Sequence, residues 1–122
     1  MKVIETKNAP GAIGPYSQGF IANGFVYTSG QIPVDPETGE VPPTIEEQAV
    51  QSYKNVGAIL EAAGSNFDKV IKTTCFLADM GDFAAFNSVY ADYFTSKPAR
   101  SCVAVKDLPK GVLCEIEAIA EA

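Results

Sequence analysis

Asn23-Gly24 stands between two runs of strand-forming residues, Ser17 to Ala22 and Phe25 to Ser29. A two-residue type I′ connection needs positive φ at both central positions, and Asn followed by Gly meets that need at low steric cost. The pair commits the N-terminal part of the chain to an antiparallel hairpin, so the rest must extend or cover a sheet. Lys2 to Glu5 alternates weakly and supplies a candidate edge strand. Gln31 to Pro43 reads as loop, punctuated by Asp35-Pro36, Thr38-Gly39 and Pro42-Pro43.

Thr44 opens a helix: Glu47 follows at the capping-box spacing, and Gly64 supplies the C-terminal stop. Ala49, Tyr53, Val56, Leu60 and Ala63 recur at helical spacing and form one apolar stripe. Val70 to Leu77 is a strand rich in β-branched residues. A second helix is predicted from about Gly81 to Phe94, with Phe83, Phe86, Tyr90, Tyr93 and Phe94 as a core-facing stripe. Ser101 to Val105 and Leu113 to Ala120 read as strands around a turn at Lys106 to Gly111. The order is β-β-β-α-β-α-β-β, an α+β sheet with both helices on one face. Val103, Val105, Ile116 and Ile119 are expected to make the other face apolar, which points to self-association.

At 122 residues the chain has the size of one domain, 1–122, able to bury a core without a covalent staple. Hydrophobic residues at 47% and charged residues at 20% describe a globular protein. No apolar run approaches the ~20 residues of a membrane span, and no secretory h-region follows Met1, so the cytoplasm is the expected location. A net charge of −6, with no basic cluster, argues against nucleic acid as the main partner.

The sequence contains no histidine. That removes Ser-His and Cys-His nucleophile pairs, the usual zinc hydrolase sites and a histidine base. No dense carboxylate cluster offers an alternative metal site. Cys75, Cys102 and Cys114 form no Cys-x-x-Cys pair, so neither a disulfide framework nor structural zinc is expected. Lys54 or Lys72 could form a Schiff base, but enzymes of that kind generally use larger chains. If the chain is an enzyme, it must work with arginine, carboxylates, hydroxyls, backbone groups and water.

Arg100 is the only arginine among nine basic residues. Its planar fork grips a carboxylate by two parallel hydrogen bonds, as lysine cannot; a surface or interface salt bridge to a Glu or Asp is the competing reading. Cys102 shares the strand face of Arg100, but with no histidine or thiolate-stabilising partner it reads as a buried, inert thiol. Glu115 and Glu117 lie on the strand face opposite Ile116, as solvated carboxylates or, if partly buried, as a proton-transfer group. Tyr16-Ser17 and Ser29-Gly30 form polar corners beside apolar strands, and Gly30 permits close approach of a ligand to the backbone.

Five segments together are more specific than any single residue. They are Ala12 to Tyr16, Thr28 to Pro33, Thr38 to Pro42, Pro98 to Val103, and Leu108-Pro109-Lys110 through Glu115 to Ala118. In order and over nearly the whole chain they resemble the RidA (YjgF) family. The resemblance implies a chorismate-mutase-like (ferredoxin-like) fold and a homotrimer with clefts between subunits. It further implies cofactor-free hydrolysis of 2-aminoacrylate and related enamine/imine acids to 2-oxo acids and ammonia. Carried over, Arg100 is the carboxylate clamp, helped by the Gly30 N–H. Tyr16, Ser29 and Asn87 shape the pocket. Glu115 holds the attacking water, and the backbone carbonyl of Cys102 is a second acceptor. The connector Thr95-Ser96-Lys97 departs from the family by being short, with Lys97 where an aromatic residue is common. Cys114 has no functional reading.

Three rivals remain. A non-catalytic module that binds small carboxylates would need Arg100 equally. A ribonuclease or translation inhibitor fits poorly with the acidic charge, and chorismate mutase would need several cations for its dianionic substrate.

Overall fold

Both turn residues take positive φ in the computed structural model, which describes residues 1–122: Asn23 at 52° and Gly24 at 83°. They join β2 (Gly19–Ala22) to β3 (Phe25–Thr28) in an antiparallel hairpin closed by the Ala22–Phe25 pair. β1 (Lys2–Ile4) adds to the outer edge of β2. The remaining strands are β4 (Val70–Leu77), β5 (Ala99–Ala104) and β6 (Cys114–Glu121). The single sheet runs β1-β2-β3-β6-β4-β5. Every pairing is antiparallel except β4 with β5, which are parallel and joined through a helix, as a crossover requires.

The first helix, α1 (Ile45–Ala62), begins where the local chemistry dictates. The Thr44 hydroxyl oxygen accepts from the Glu47 N–H at 3.2 Å, and the hydroxyl donates to the Glu47 carboxylate at 2.8 Å. At the other end Gly64 takes φ 80°, letting its N–H donate to Glu61 O and that of Ser65 to Leu60 O. Ala49, Tyr53, Val56 and Leu60 are fully buried, as the stripe predicts, with Ser52, Asn55 and Ile59 beside them. Asn55 donates to the carbonyls of Ile32 and Val34 at 3.1 and 3.0 Å, which fastens the segment after Gly30 to α1.

The second helix, α2 (Phe83–Tyr93), starts two residues late because Met80–Asp82 is a 3₁₀ turn capped by the Asp79 carboxylate on the Gly81 N–H. Of its aromatic stripe only Phe86 and Phe94 are fully buried; Phe83, Tyr90 and Tyr93 are half-buried. Tyr53 of α1 meets Phe86, Tyr90, Tyr93 and Phe94 at ring separations of 5.4–5.9 Å and donates its hydroxyl to Phe86 O at 2.9 Å. No helix is long and apolar enough to cross a membrane.

Both helices cover one sheet face, where Val26, Cys75, Leu77, Cys114 and Ala118 are buried. Ile116 belongs to this covered face and is fully buried, contrary to the expectation that it lines the open one. It alternates with Glu115 and Glu117, and period 2 allows no other result. The open face carries exposed Tyr27 and Val103, with half-buried Phe76, Glu115, Glu117 and Ile119. β5 also begins earlier than expected, so Arg100 is an interior strand residue paired with Thr73.

Candidate active site

Arg100 projects from β5 on the covered face and is half-buried against α2. Its Nη1 donates to Asn87 Oδ1 at 2.6 Å. The guanidinium lies over the Tyr90 ring at 4.7 Å and near the Phe83 ring at 5.5 Å. Asn87 and rings, with no carboxylate, are its partners. The competing reading of a salt bridge within the chain therefore fails, and most of the five N–H donors of the fork remain free for a ligand. The platform residues Phe83 and Tyr90 were read only as core. Their spacing around Asn87, four before and three after, puts all three on one helix face and was the signal available.

The second group forms around Gly30. An isolated bridge pairs Gln31 with Ile116 (N–H to O distances of 2.7 and 3.2 Å) and so lays the Ser29-Gly30 segment against β6. The absence of a side chain at Gly30 makes room for Glu115: a methyl group at this position would displace its carboxylate. The N–H groups on either side are used, Ser29 to Gln18 O and Gln31 to Ile116 O, while the Gly30 N–H has no backbone acceptor. The Ser29 hydroxyl donates to Ser17 O at 2.5 Å, joining the two predicted polar corners. Gln18, which the sequence did not single out, anchors the preceding loop through Thr6 N–H (2.7 Å), Thr6 O (3.0 Å) and Pro10 O (2.8 Å). Tyr16 stays exposed, and with Ile13, Gly30, Ile32 and Pro109 it lines a groove of about 500 Å³.

Glu115 is half-buried, and its carboxyl is pushed above the ordinary range by burial first and the neighbouring charge of Glu117 second. That combination suits a group that exchanges protons with water. Cys102 behaves otherwise. Burial raises its thiol above the ordinary value, with Arg100 opposing only in part, so the thiol is protonated at neutral pH and a poor nucleophile. Cys75 and Cys114 are pushed up to about 12 by burial. The Cys102 backbone is more useful than its sulfur. The Val105 N–H donates to Leu77 O at 2.9 Å, so strand alternation turns the polar groups of Cys102 away from β4 toward the open sheet edge.

The two groups lie on opposite faces of the sheet. Cys102 pairs with Cys75 and Cys75 with Ile116, all on the helix side; Phe76 pairs with Glu115 on the open side. The grooves lined by Tyr16 include neither Arg100 nor Glu115. One chain therefore gathers Tyr16, Ser29, Gly30 and Glu115 in one place and Asn87, Arg100 and Cys102 in another. The Thr95-Ser96-Lys97 connector beside the second group is fixed to the start of β4: Ser96 donates to Val70 O at 2.6 Å, and Thr95 donates to Asp68.

The profile of the endoribonuclease L-PSP family matches residues 6–122. The 2-iminobutanoate/2-iminopropanoate deaminase of Escherichia coli K12 is 54% identical, covering 98% of this chain and 96% of its own length. A Lactococcus lactis protein named AldR, provisionally a regulator, is 57% identical over 99% of this chain and 98% of its own. The crystal structure of E. coli TdcF with bound serine superposes with a TM-score of 0.96 at 52% identity, covering 100% of this chain and 99% of that one. With a family profile spanning nearly every residue and near-identical folds at half-identical sequence, the chain belongs to the endoribonuclease L-PSP (YjgF/RidA) family.

Proposed function

We propose that this protein hydrolyses 2-imino acids, formed by tautomerisation of 2-aminoacrylate-type enamines, to 2-oxo acids and ammonia without a cofactor. The observation that carries the reading is Arg100: the only guanidinium in the chain, bonded to Asn87, lying over the Tyr90 ring and left without a carboxylate partner. The relationship to a named imine deaminase at 54% identity supports it.

The substrate carboxylate would take the free edge of Arg100 and the free N–H of Gly30. Because these lie on opposite faces of one sheet, the reading requires Arg100 of one copy to face Gly30 and Glu115 of another, in a homotrimer with a cleft at each contact. The apolar open face, with Tyr27 and Val103, is suited to such contacts. Glu115 would hold a water molecule with the Cys102 carbonyl as second acceptor, and Tyr16 and Ser29 would close the wall.

The chemistry asks little of the protein. The imine C2 is electrophilic. Glu115 accepts a proton as the water oxygen bonds to C2 and passes it to the nitrogen, leaving an amine on a tetrahedral carbon. It then takes the adduct's hydroxyl proton and delivers it to that amine as the carbonyl forms and the C–N bond breaks, so ammonia departs and the carboxylate is restored. Imine plus water gives 2-oxo acid plus ammonia, with no oxidant or metal in the balance. The reaction also runs unaided, so fixing the substrate and one water is a sufficient contribution. Such an enzyme would work in the cytoplasm, alongside the dehydratases that release these enamines.

The similarity to AldR favours a second reading, a module that binds small carboxylates and regulates. One assay separates the two. A serine or threonine dehydratase generates the enamine, and release of oxo acid is followed with wild-type protein and with Arg100→Ala. Acceleration that disappears in the variant supports the enzyme. Carboxylate binding without acceleration supports the regulator and defeats the proposal. Ribonuclease activity, suggested by the family's description, fits poorly with a charge of −6 and no histidine.

A further inference from the structure

Arg100, Thr73 and Tyr90 form a closed loop of contacts. Arg100 is the β5 partner of Thr73 across the parallel ladder. Thr73 is fully buried, and its Oγ1 lies 2.6 Å from the Tyr90 hydroxyl. The Tyr90 ring returns to the start by carrying the guanidinium 4.7 Å from its centroid. Behind it the ring is held by Phe94, stacked at 4.6 Å and 25°, and by the edge of Tyr53 at 5.9 Å. The ring can neither slide nor turn without breaking one of these contacts.

A buried tyrosine hydroxyl commonly finds some partner. Here the partner is the residue directly opposite Arg100 in the register of β4 with β5. Asn87 takes one N–H of the guanidinium, the guanidinium carbon lies over the Tyr90 ring, and the other N–H donors have no partner within the chain. Arginine is a long, rotamer-rich side chain, and holding it in one pose before a ligand arrives removes an ordering cost from binding.

We propose that Tyr90 is a positioning residue for carboxylate recognition, holding the Arg100 fork in its binding pose through the ring face and through the hydroxyl tether to Thr73. This rests on the reading of Arg100 as a carboxylate clamp. It adds Tyr90 and Thr73 as the parts that aim it.

The single arginine makes the test clean, because the protein gives one guanidinium Nε–H resonance. In the wild type, the Arg100 side-chain protons should be displaced upfield by the Tyr90 ring; positions typical of a free arginine would overturn the proposal without any variant. Tyr90→Leu should release that shift, weaken 2-oxobutanoate binding roughly 3- to 30-fold and raise KM while kcat changes little. Tyr90→Phe keeps the ring and should hold affinity within about threefold of wild type. A purely structural role would lower the melting temperature and leave 2-oxobutanoate affinity and KM unchanged. An unmoved resonance with unchanged affinity in Tyr90→Leu, or equal losses in the Phe and Leu variants, overturns the platform. Wild-type protein that binds no 2-oxobutanoate, yet loses the ring shift in Tyr90→Leu, sinks the clamp and spares the platform.

Discussion

Replacing Gly30 with alanine separates folding from catalysis. The Gly30 backbone lies outside the left-handed region, so alanine meets no φ penalty. The added methyl runs into the Glu115 carboxylate, which is the movable end of a side chain on the open face. Reduced freedom of the unfolded chain favours the variant by about 0.4–1 kcal/mol. Driving Glu115 from its preferred rotamer costs about 0.5–1.5 kcal/mol. The two nearly cancel, and the melting temperature should stay within about 5 °C of wild type. Activity should not survive so well, because a carboxylate displaced by the width of a methyl group no longer holds water where C2 needs it. A displacement of about 1 Å typically costs on the order of 100-fold. The coupled dehydratase assay reads the rate and thermal unfolding reads the fold. In a Glu115→Gln background the alanine should cost at most about threefold more, since both changes strike one function. Wild-type turnover in Gly30→Ala would refute the argument, and so would a full additional 100-fold loss in the double variant.

Further outcomes follow from the ionisable groups. In the proposed reaction Glu115 works ionised, and burial raises its carboxyl, so turnover should fall on acidification at a pH above the ordinary carboxylate range. Glu117→Gln removes the second cause of that shift and should move the acid limb of the pH–rate profile to lower pH; an unmoved limb contradicts the assignment. A group raised in the folded state stabilises fully below its unfolded value and loses that contribution as pH rises through the folded one. Glu115→Gln should therefore raise the melting temperature at neutral pH, with the gain vanishing below about pH 4. For the thiols, alkylation in native protein at neutral pH should be slow at half-buried Cys102 and negligible at buried Cys75 and Cys114. Cys102→Ser should keep most of the turnover, and a loss beyond about 100-fold would restore a role for the sulfur.

The local parts of this fold were legible because local chemistry decides them. Asn23-Gly24 names its own turn, Thr44, Glu47 and Gly64 bracket α1, and the β-branched run from Val70 to Leu77 matches β4 residue for residue. Ile116 was misplaced because apolarity says that a residue is buried but not under what; its alternation with Glu115 held the answer. Arg100 stood out by composition, and its Tyr90 platform did not, since an aromatic residue at helical spacing usually means core. The separation of Arg100 from Glu115 is the least local feature. It depends on the register that sets Cys75 beside both Cys102 and Ile116, and no window of sequence contains that.

That separation allows the most direct test of the account, which is complementation between inactive variants. Arg100→Ala and Glu115→Gln are each purified, unfolded together at equal concentration, refolded and assayed for oxo-acid release. If the site joins two copies, random reassembly leaves about a quarter of the clefts with both groups intact, and about a quarter of wild-type turnover should return. Turnover no greater than the sum of the two separate variants would place the working site within one chain and contradict the account.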